Sequence, residues 1–312
     1  MARKLIIDLD PGIGDAVAAV LAMLDPDIDL LALTATAGVV SGEMATRNLH
    51  GIVASVDPPK WPRIGSAPPK PKYLHRSESG PQLEALNGST GMGDFEIFAP
   101  ELHHRHESSK VLIDMVHMHP HEVTLLTLGP LTNVAAACER APDFMDALGG
   151  LVCLGGSVAV GGDITAVAET NVFLNPEAAH SVLASPQAKT LIPLDATNAT
   201  IITYEMFTRI SDGTSPGSLF LKQLLPFYFR AHHQFLGMEG IRLREVVALA
   251  AIARQGLCQM QSLPVDVEVQ AGLTCGVTVF ERRPHVAKKS NASVALEIDS
   301  QGVVDYMTQL LK

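Results

Sequence analysis

Short, continuous apolar runs, each stopped at a Pro/Gly turn and followed by a helical stripe, constrain this chain more than any other feature. Leu5-Ile6-Ile7 halts at Asp8, Pro11 and Gly12, the pattern of a strand covered on both faces that ends in a loop. Beyond the loop, Ala16, Val17, Ala19, Val20, Ala22 and Met23 line one helical face. Residues 28–37 are again β-prone, and residues 43–55 predict a second helix. Strand, helix and strand in this order imply a parallel pair with a right-handed crossover. The theme returns with strands over 123–128, 151–154 and 190–194, and helices from 131 to 138 and 176 to 184. After Leu219 the chain reads as helical, through 227–236 and 245–253, and 293–298 and 303–311 read as a strand and a closing helix. The expected fold is α/β, an open, mostly parallel, Rossmann-like sheet flanked by helices.

No Pro/Gly/Ser-rich linker or charge block divides the 312 residues, so one domain over 1–312 is expected. Residues 58–94, rich in Pro, Gly and Ser, read as a long functional loop. A net charge of −10 argues against nucleic acid or an anionic membrane as partner and favours small ligands and metal ions. Cys138, Cys153, Cys258 and Cys275 stand singly in apolar surroundings, as reduced core thiols do. With only a few strand residues between Met1 and charged Asp8, and no apolar run long enough to span a bilayer, a cytoplasmic protein is expected.

Ligands of open parallel sheets bind beyond the carboxyl ends of the strands. Asp8, Asp10 and Asp15 crowd that end of the first strand. Carboxylates so close repel unless a cation neutralises them, and oxygen ligands suit calcium or magnesium. The alternative is that Asp8 and Asp10 only cap a helix and satisfy loop amides.

The run Asp8-Leu9-Asp10-Pro11-Gly12-Ile13-Gly14-Asp15-Ala16 resembles the D-x-D-P-G-x-D-D-A opening of the inosine-uridine-preferring nucleoside hydrolase family. Four later pieces follow in the family's order: Leu128-Gly129-Pro130-Leu131-Thr132-Asn133; Gly155-Gly156; Ala168-Glu169-Thr170-Asn171 with Asn175-Pro176-Glu177-Ala178-Ala179; and Leu194-Asp195-Ala196-Thr197. The resemblance implies the nucleoside hydrolase fold and hydrolysis of the N-glycosidic bond of a ribonucleoside or related N-riboside, as in purine or pyrimidine salvage. It implies Ca²⁺ that binds the ribose 2′- and 3′-hydroxyls and a water, with Asp10, Asp15, the main-chain carbonyl of Leu128 and Glu245 as ligands. Asp10 would also be the general base. Glu169 and Asn171 would bind ribose hydroxyls, one accepting and the other able to donate and accept. Family members form dimers and tetramers, so a homodimer or homotetramer is expected.

Departures cluster at the site. Gly14 replaces an aspartate that contacts the 2′-hydroxyl, Asp163 replaces a sugar-binding asparagine, Val39 replaces another asparagine near the ligand, and Asn87 replaces a histidine. Arg244-Glu245-Val246 stands for H-D-P. The family's histidine protonates a leaving purine, which an arginine with a pKa above roughly 12 does not do. Tyr228 and His232, four apart on one helix face, are therefore candidates to help the leaving group, with His232 as a substitute acid. The alternative for His232 is a partly exposed helix histidine, and for Glu245 a helix-start glutamate favoured by the dipole.

His103, His104, His106, His117, His119 and His121 read as solvated surface despite their metal-like composition. Trp61 reads as packing under its loop, whereas Met92 and Phe95 either touch a base or close their own loop. A different class of reading is a calcium-stabilised ribose or nucleoside binder with lost or altered catalysis. Asp8-x-Asp10 is also similar to the opening of the haloacid-dehalogenase family, but the adjacent acidic pair that family needs downstream is missing.

Overall fold

A computed structural model of the chain describes residues 2–68, 80–99, 105–210, 213–286 and 288–312. Its main sheet has eight strands: β1 (Arg3–Leu9), β2 (Ile28–Ala35), β3 (Arg63–Gly65), β4 (Thr124–Thr127), β5 (Gly150–Leu154), β6 (Thr190–Ile192), β7 (Cys258–Leu263) and β8 (Ala292–Ile298). Their spatial order is β3-β2-β1-β4-β5-β6-β8-β7, parallel throughout except for β7, which runs antiparallel against β8 at one edge.

Burial on both faces explains the continuous apolar runs. Leu5, Leu9 and Leu33 belong to one core beneath the helices Ile13–Leu24, Gly42–Val56 and Arg244–Ala253. Ile6, Ala32 and Leu125 belong to the other, beneath Ser108–Met118, Thr132–Arg140 and Pro176–Ala184. Alternation along β1 thus sends its side chains to two apolar layers, and from Leu5 to Ile7 neither face carries a polar residue. The connection leaves β1 toward β2 on one side, while β4 pairs on the other. That reversal opens a crevice at the carboxyl end of β1.

The sequence patterns locate β1, β2, β4, β5, β6 and β8 with helices beside them, whereas the edge strand β7 and the helix Ser108–Met118 fall outside every predicted element. Residues 58–94 contain β3 and the helix Gly80–Asn87, so part of the expected irregular loop is regular structure. The helix expected after Leu219 and through residue 236 spans Pro216–Leu236, 21 residues with Pro226 in its interior.

Among the described residues no helix is long and apolar enough to cross a membrane. The four cysteines are free thiols: Cys153 and Cys275 are buried, Cys138 and Cys258 half-buried. Trp61 differs from expectation, being 47% exposed with its indole N–H donated to Asp57. Met92 is fully buried in the core, and Phe95 meets the Phe220 ring edge-on, so both close their own segment. His117, His119 and His121 lie at the polar end of Ser108–Met118, where His117 pairs with Asp143 at 3.2 Å. His103 and His104 lie outside the described residues.

Candidate active site

The strand ends place the first set of groups. Asp8 closes β1 with no exposure, and its Oδ1 accepts from Thr34 Oγ1 at 2.5 Å and Asn133 Nδ2 at 2.8 Å. Burial pushes its carboxyl up to about 7 despite both bonds. Asp10, two residues on, takes the Val39 N–H on Oδ2 at 2.7 Å. Burial first, then the nearby Glu245 and Asp8 carboxylates, raise Asp10 to about 8. Its seat requires a side chain without Cβ opposite: a Cβ on Gly38 would stand 1.9 Å from Asp10 Oδ2.

Asp15 sits in the first turn of Ile13–Leu24, where its Oδ2 accepts the Gly12 N–H at 3.2 Å. Glu245 opens Arg244–Ala253, the helix that packs against Ile13–Leu24. Burial pushes the Asp15 and Glu245 carboxyls up, and in Asp15 the charges of Asp10 and Glu245 add to it. Asp15 Oδ1 and Glu245 Oε2 are buried without any hydrogen-bond partner, as is Asp8 Oδ2. Gly14 makes room for this arrangement, because a Cβ there would stand 2.2 Å from Glu245 Oε2. The longer acid at 245 and the missing side chain at 14 are therefore two halves of one packing solution.

Leu128 follows β4, and its carbonyl accepts Asn171 Nδ2 at 2.6 Å; the same amide also donates to Leu154 O at 3.1 Å. Both amide hydrogens of Asn171 are so committed, leaving its Oδ1 as acceptor rather than the two-way partner expected. Glu169 caps the helix Thr170–Leu174, taking the N–H groups of Asn171, Val172 and Gly156 at 3.0, 3.1 and 3.0 Å. Burial, then the charge of Asp163, lifts its carboxyl to about 7. Asn87 accepts the Ile13 N–H at 3.0 Å and donates to Leu83 O at 3.2 Å, tying Gly80–Asn87 to the first turn of the first helix.

The opposite wall is cationic. Arg244 donates to Asp163 Oδ2 and, at 3.2 Å, to Asn198 Oδ1, while Asp163 Oδ1 takes the Thr170 N–H at 2.9 Å. Asp163, expected as a sugar contact, thus has both oxygens engaged and holds Arg244. Tyr228 and His232 lie one helical turn apart in Pro216–Leu236, rings 4.2 Å apart and tilted 68°. His232 Nδ1 lies 3.0 Å from Tyr228 O, an acceptor only, so that nitrogen carries the proton. Burial first, then the charges of Arg244 and Arg242, push His232 down to about 4, and burial drives the Tyr228 hydroxyl upward. His232 is only 3% exposed, not the partly exposed histidine of the alternative reading.

Asp10, Asp15, Val39, Asn87, Leu128, Asp163, Glu169, Asn171, Tyr228, His232, Arg244 and Glu245 all line one cavity of about 260 Å³. Arg242, Asn198 and Gln82 line it too and were missed by sequence reasoning. Arg242-x-Arg244 offered a signal, two arginines within three residues at the start of a helix. Among the described residues, no three His, Cys, Asp or Glu side chains converge on a ready-made metal-binding point. The donor chemistry nevertheless fits a hard cation: three buried acids with raised pKa, Asp10, Asp15 and Glu245, and a carbonyl, Leu128, with a second lone pair.

The family model described as inosine-uridine preferring nucleoside hydrolase matches residues 5–305. An inosine-uridine preferring nucleoside hydrolase of Leishmania major is 34% identical over 304 residues, covering 96% of this chain and 94% of the relative. A solved plant nucleoside hydrolase superposes with a TM-score of 0.91 at 25% identity, covering 100% of this chain and 99% of that one. A purine-preferring ribonucleoside hydrolase from Gardnerella vaginalis gives 0.89 at 26% identity, covering 99% of each.

Proposed function

This chain belongs to the inosine-uridine preferring nucleoside hydrolase family and is an N-ribohydrolase, and on that premise we propose how its own residues divide the work. The reaction breaks the C1′–N bond of a ribonucleoside and forms a C1′–O bond to water; the bond's electron pair leaves with the heterocycle. A metal cofactor is consistent with the family. We assign it as Ca²⁺, held by Asp10, Asp15, Glu245 and the Leu128 carbonyl, where it would supply positive charge to neutralise the acids and to acidify an attacking water. Calcium's tolerant coordination suits the extra methylene of Glu245 better than magnesium's strict octahedron.

In this reading Asp10 is the general base. A cation beside it would favour its ionised form, and the Val39 N–H fixes one oxygen while the other can take the water proton. Glu169 and the Asn171 oxygen accept ribose hydroxyls. Arg244, positioned by Asp163, faces charge that develops on the leaving group without donating a proton. His232 and Tyr228 complete that wall; His232, held neutral there by burial and both arginines, would have to gain a proton to serve as the substitute acid. A cytoplasmic homodimer or homotetramer remains part of the proposal. The exposed apolar side chains of Tyr204, Phe235 and Leu236 support a subunit contact.

The observation that carries the reading is the set of buried acids at the carboxyl end of β1 with oxygens lacking any protein partner. Incubation of the protein with Ca²⁺ and, in turn, inosine, cytidine and uridine is expected to release free base and ribose, and a chelator to abolish release. Binding without release across that panel would instead favour the catalytically altered nucleoside binder.

A further inference from the structure

We propose that the cationic wall of the cavity selects N-ribosides whose departing heterocycle bears a permanent negative charge, a ring carboxylate in particular. The inference rests on the hydrolytic reading above and names the leaving group it serves.

The cavity is segregated by sign. Asp10, Asp15, Glu169 and Glu245 line one part, and Arg242 and Arg244 line another. Arg242 lies on the segment joining the strand Gly240–Ile241 to the helix Arg244–Ala253, and Arg244 is that helix's first residue. Arg244 has Asp163 and Asn198 as partners. Arg242 has Arg244 and Asp163 as its charged neighbours, and the Nε atoms of both arginines are buried without a hydrogen-bond partner. Asp163 is the one carboxylate hydrogen-bonded to this pair, and Glu245, the other acid whose charge acts on Arg244, is assigned above to the metal; with Glu245 so engaged, the two guanidinium groups share one carboxylate and one positive charge is left without a paired acid at that wall. Neighbouring His232 adds none, because burial and both arginines hold it neutral.

A neutral base would leave that charge partly desolvated and unpaired, which is costly. A carboxylate on the heterocycle answers it with the flat, two-pronged geometry that guanidinium groups match best. One uncompensated charge fits a monoanion better than a dianionic 5′-phosphate. The chemistry gains as well. Water's oxygen bonds to C1′, its proton passes to Asp10, and the heterocycle departs with the C1′–N electron pair. Fixed guanidinium groups stabilise this growing negative charge with no proton transfer, and the released ring collects its proton from solvent afterwards.

The test measures kcat/KM for uridine, orotidine (the same ring with a carboxylate) and uridine 5′-monophosphate, with equilibrium binding of the free rings orotate and uracil. Expected are orotidine favoured over uridine, and orotate over uracil, by about tenfold or more, the worth of one charge-assisted pair. The phosphate should bring no such gain. Arg242→Gln should cut both preferences by about tenfold, and Arg242→Lys by less. Uridine cleaved as well as orotidine overturns the charge selection while leaving the N-ribohydrolase intact; a preference for the 5′-monophosphate overturns the placement of the anion. If no riboside is cleaved the hydrolytic reading fails, and the orotate-to-uracil binding ratio alone then supports or overturns the inference.

Discussion

The acidic floor and the cationic wall of this cavity are built by different means. On the floor, main chain does the positioning: Asp8 ends β1, Asp10 is fixed by the Val39 amide, Asp15 by the Gly12 amide, and Glu169 by three amides around its cap. On the wall, side chains hold side chains, as Asp163 holds Arg244 across 81 residues of sequence. A group fixed by sheet backbone keeps its place when its neighbours change, whereas a group fixed by another side chain keeps it only while that partner remains. The floor should therefore fail through lost chemistry with the fold intact, and the wall through altered selectivity and binding.

Asp10→Asn tests the floor hardest. The amide keeps the shape and one acceptor but removes both the base and a charge, so kcat/KM should fall by about a thousandfold or more. In the calcium-free protein the melting temperature should hold or rise, since burial and the neighbouring acids make ionised Asp10 a destabilising charge there. Residual turnover above a tenth of wild type would remove Asp10 from the base role. Gly14→Ala comes next. Its new Cβ collides with the far end of Glu245, a flexible side chain that can swing away. Activity and calcium affinity should drop by about 10–100-fold, while helix propensity offsets the strain by up to about 1 kcal/mol. Unfolding without any preceding loss of calcium affinity would show that Gly14 serves the backbone and not Glu245.

Asp163→Asn should act on the wall. Arg244 sits at 22% side-chain exposure against 17% for Asp163, so the pair is neither buried nor free in solvent. Losing the charge should weaken nucleoside binding by about tenfold through a looser Arg244, with kcat/KM and 1/KM falling together. A kcat effect alone would place Asp163 in the chemistry instead.

The same division decided what could be read from the sequence. Strand ends announce themselves through apolar runs broken by Asp, Pro and Gly, so the sheet, its crevice and the acids Asp10 and Asp15 were legible. Glu169 and Asn171 were legible through their resemblance to a family run. The wall was legible only in pieces. Arg244 stood out as a departure, but nothing local says that Asp163, also read as a sugar contact, is its ion-pair partner. Nor does any local pattern say that Gly14 and Glu245 compensate each other, because the contact joins two helices far apart in sequence. Arg242 was passed over although its spacing from Arg244 was visible, for an isolated arginine after a short strand resembles ordinary surface.

His232 gives the smallest and most discriminating effect, because two roles for it predict different kinetics. Burial and two guanidinium groups hold it near 4, below the ordinary 6.5. Between those values the unfolded chain binds a proton that the folded chain refuses. The folded state therefore has this contribution in full above about pH 6.5 and loses it as pH falls toward 4. With the ring partly screened, the slope amounts to on the order of 1–2 kcal/mol. His232→Gln should flatten stability across that window in urea unfolding at a series of pH values. For turnover, a substitute acid predicts a kcat loss larger than the change in KM, greatest on substrates with poor leaving groups. A neutral wall residue beside the arginines predicts instead equal loss in binding and turnover on every substrate. The second pattern, found together with the flattened stability profile, would leave Arg242 and Arg244 as the groups that ease the base away, by charge and without a proton.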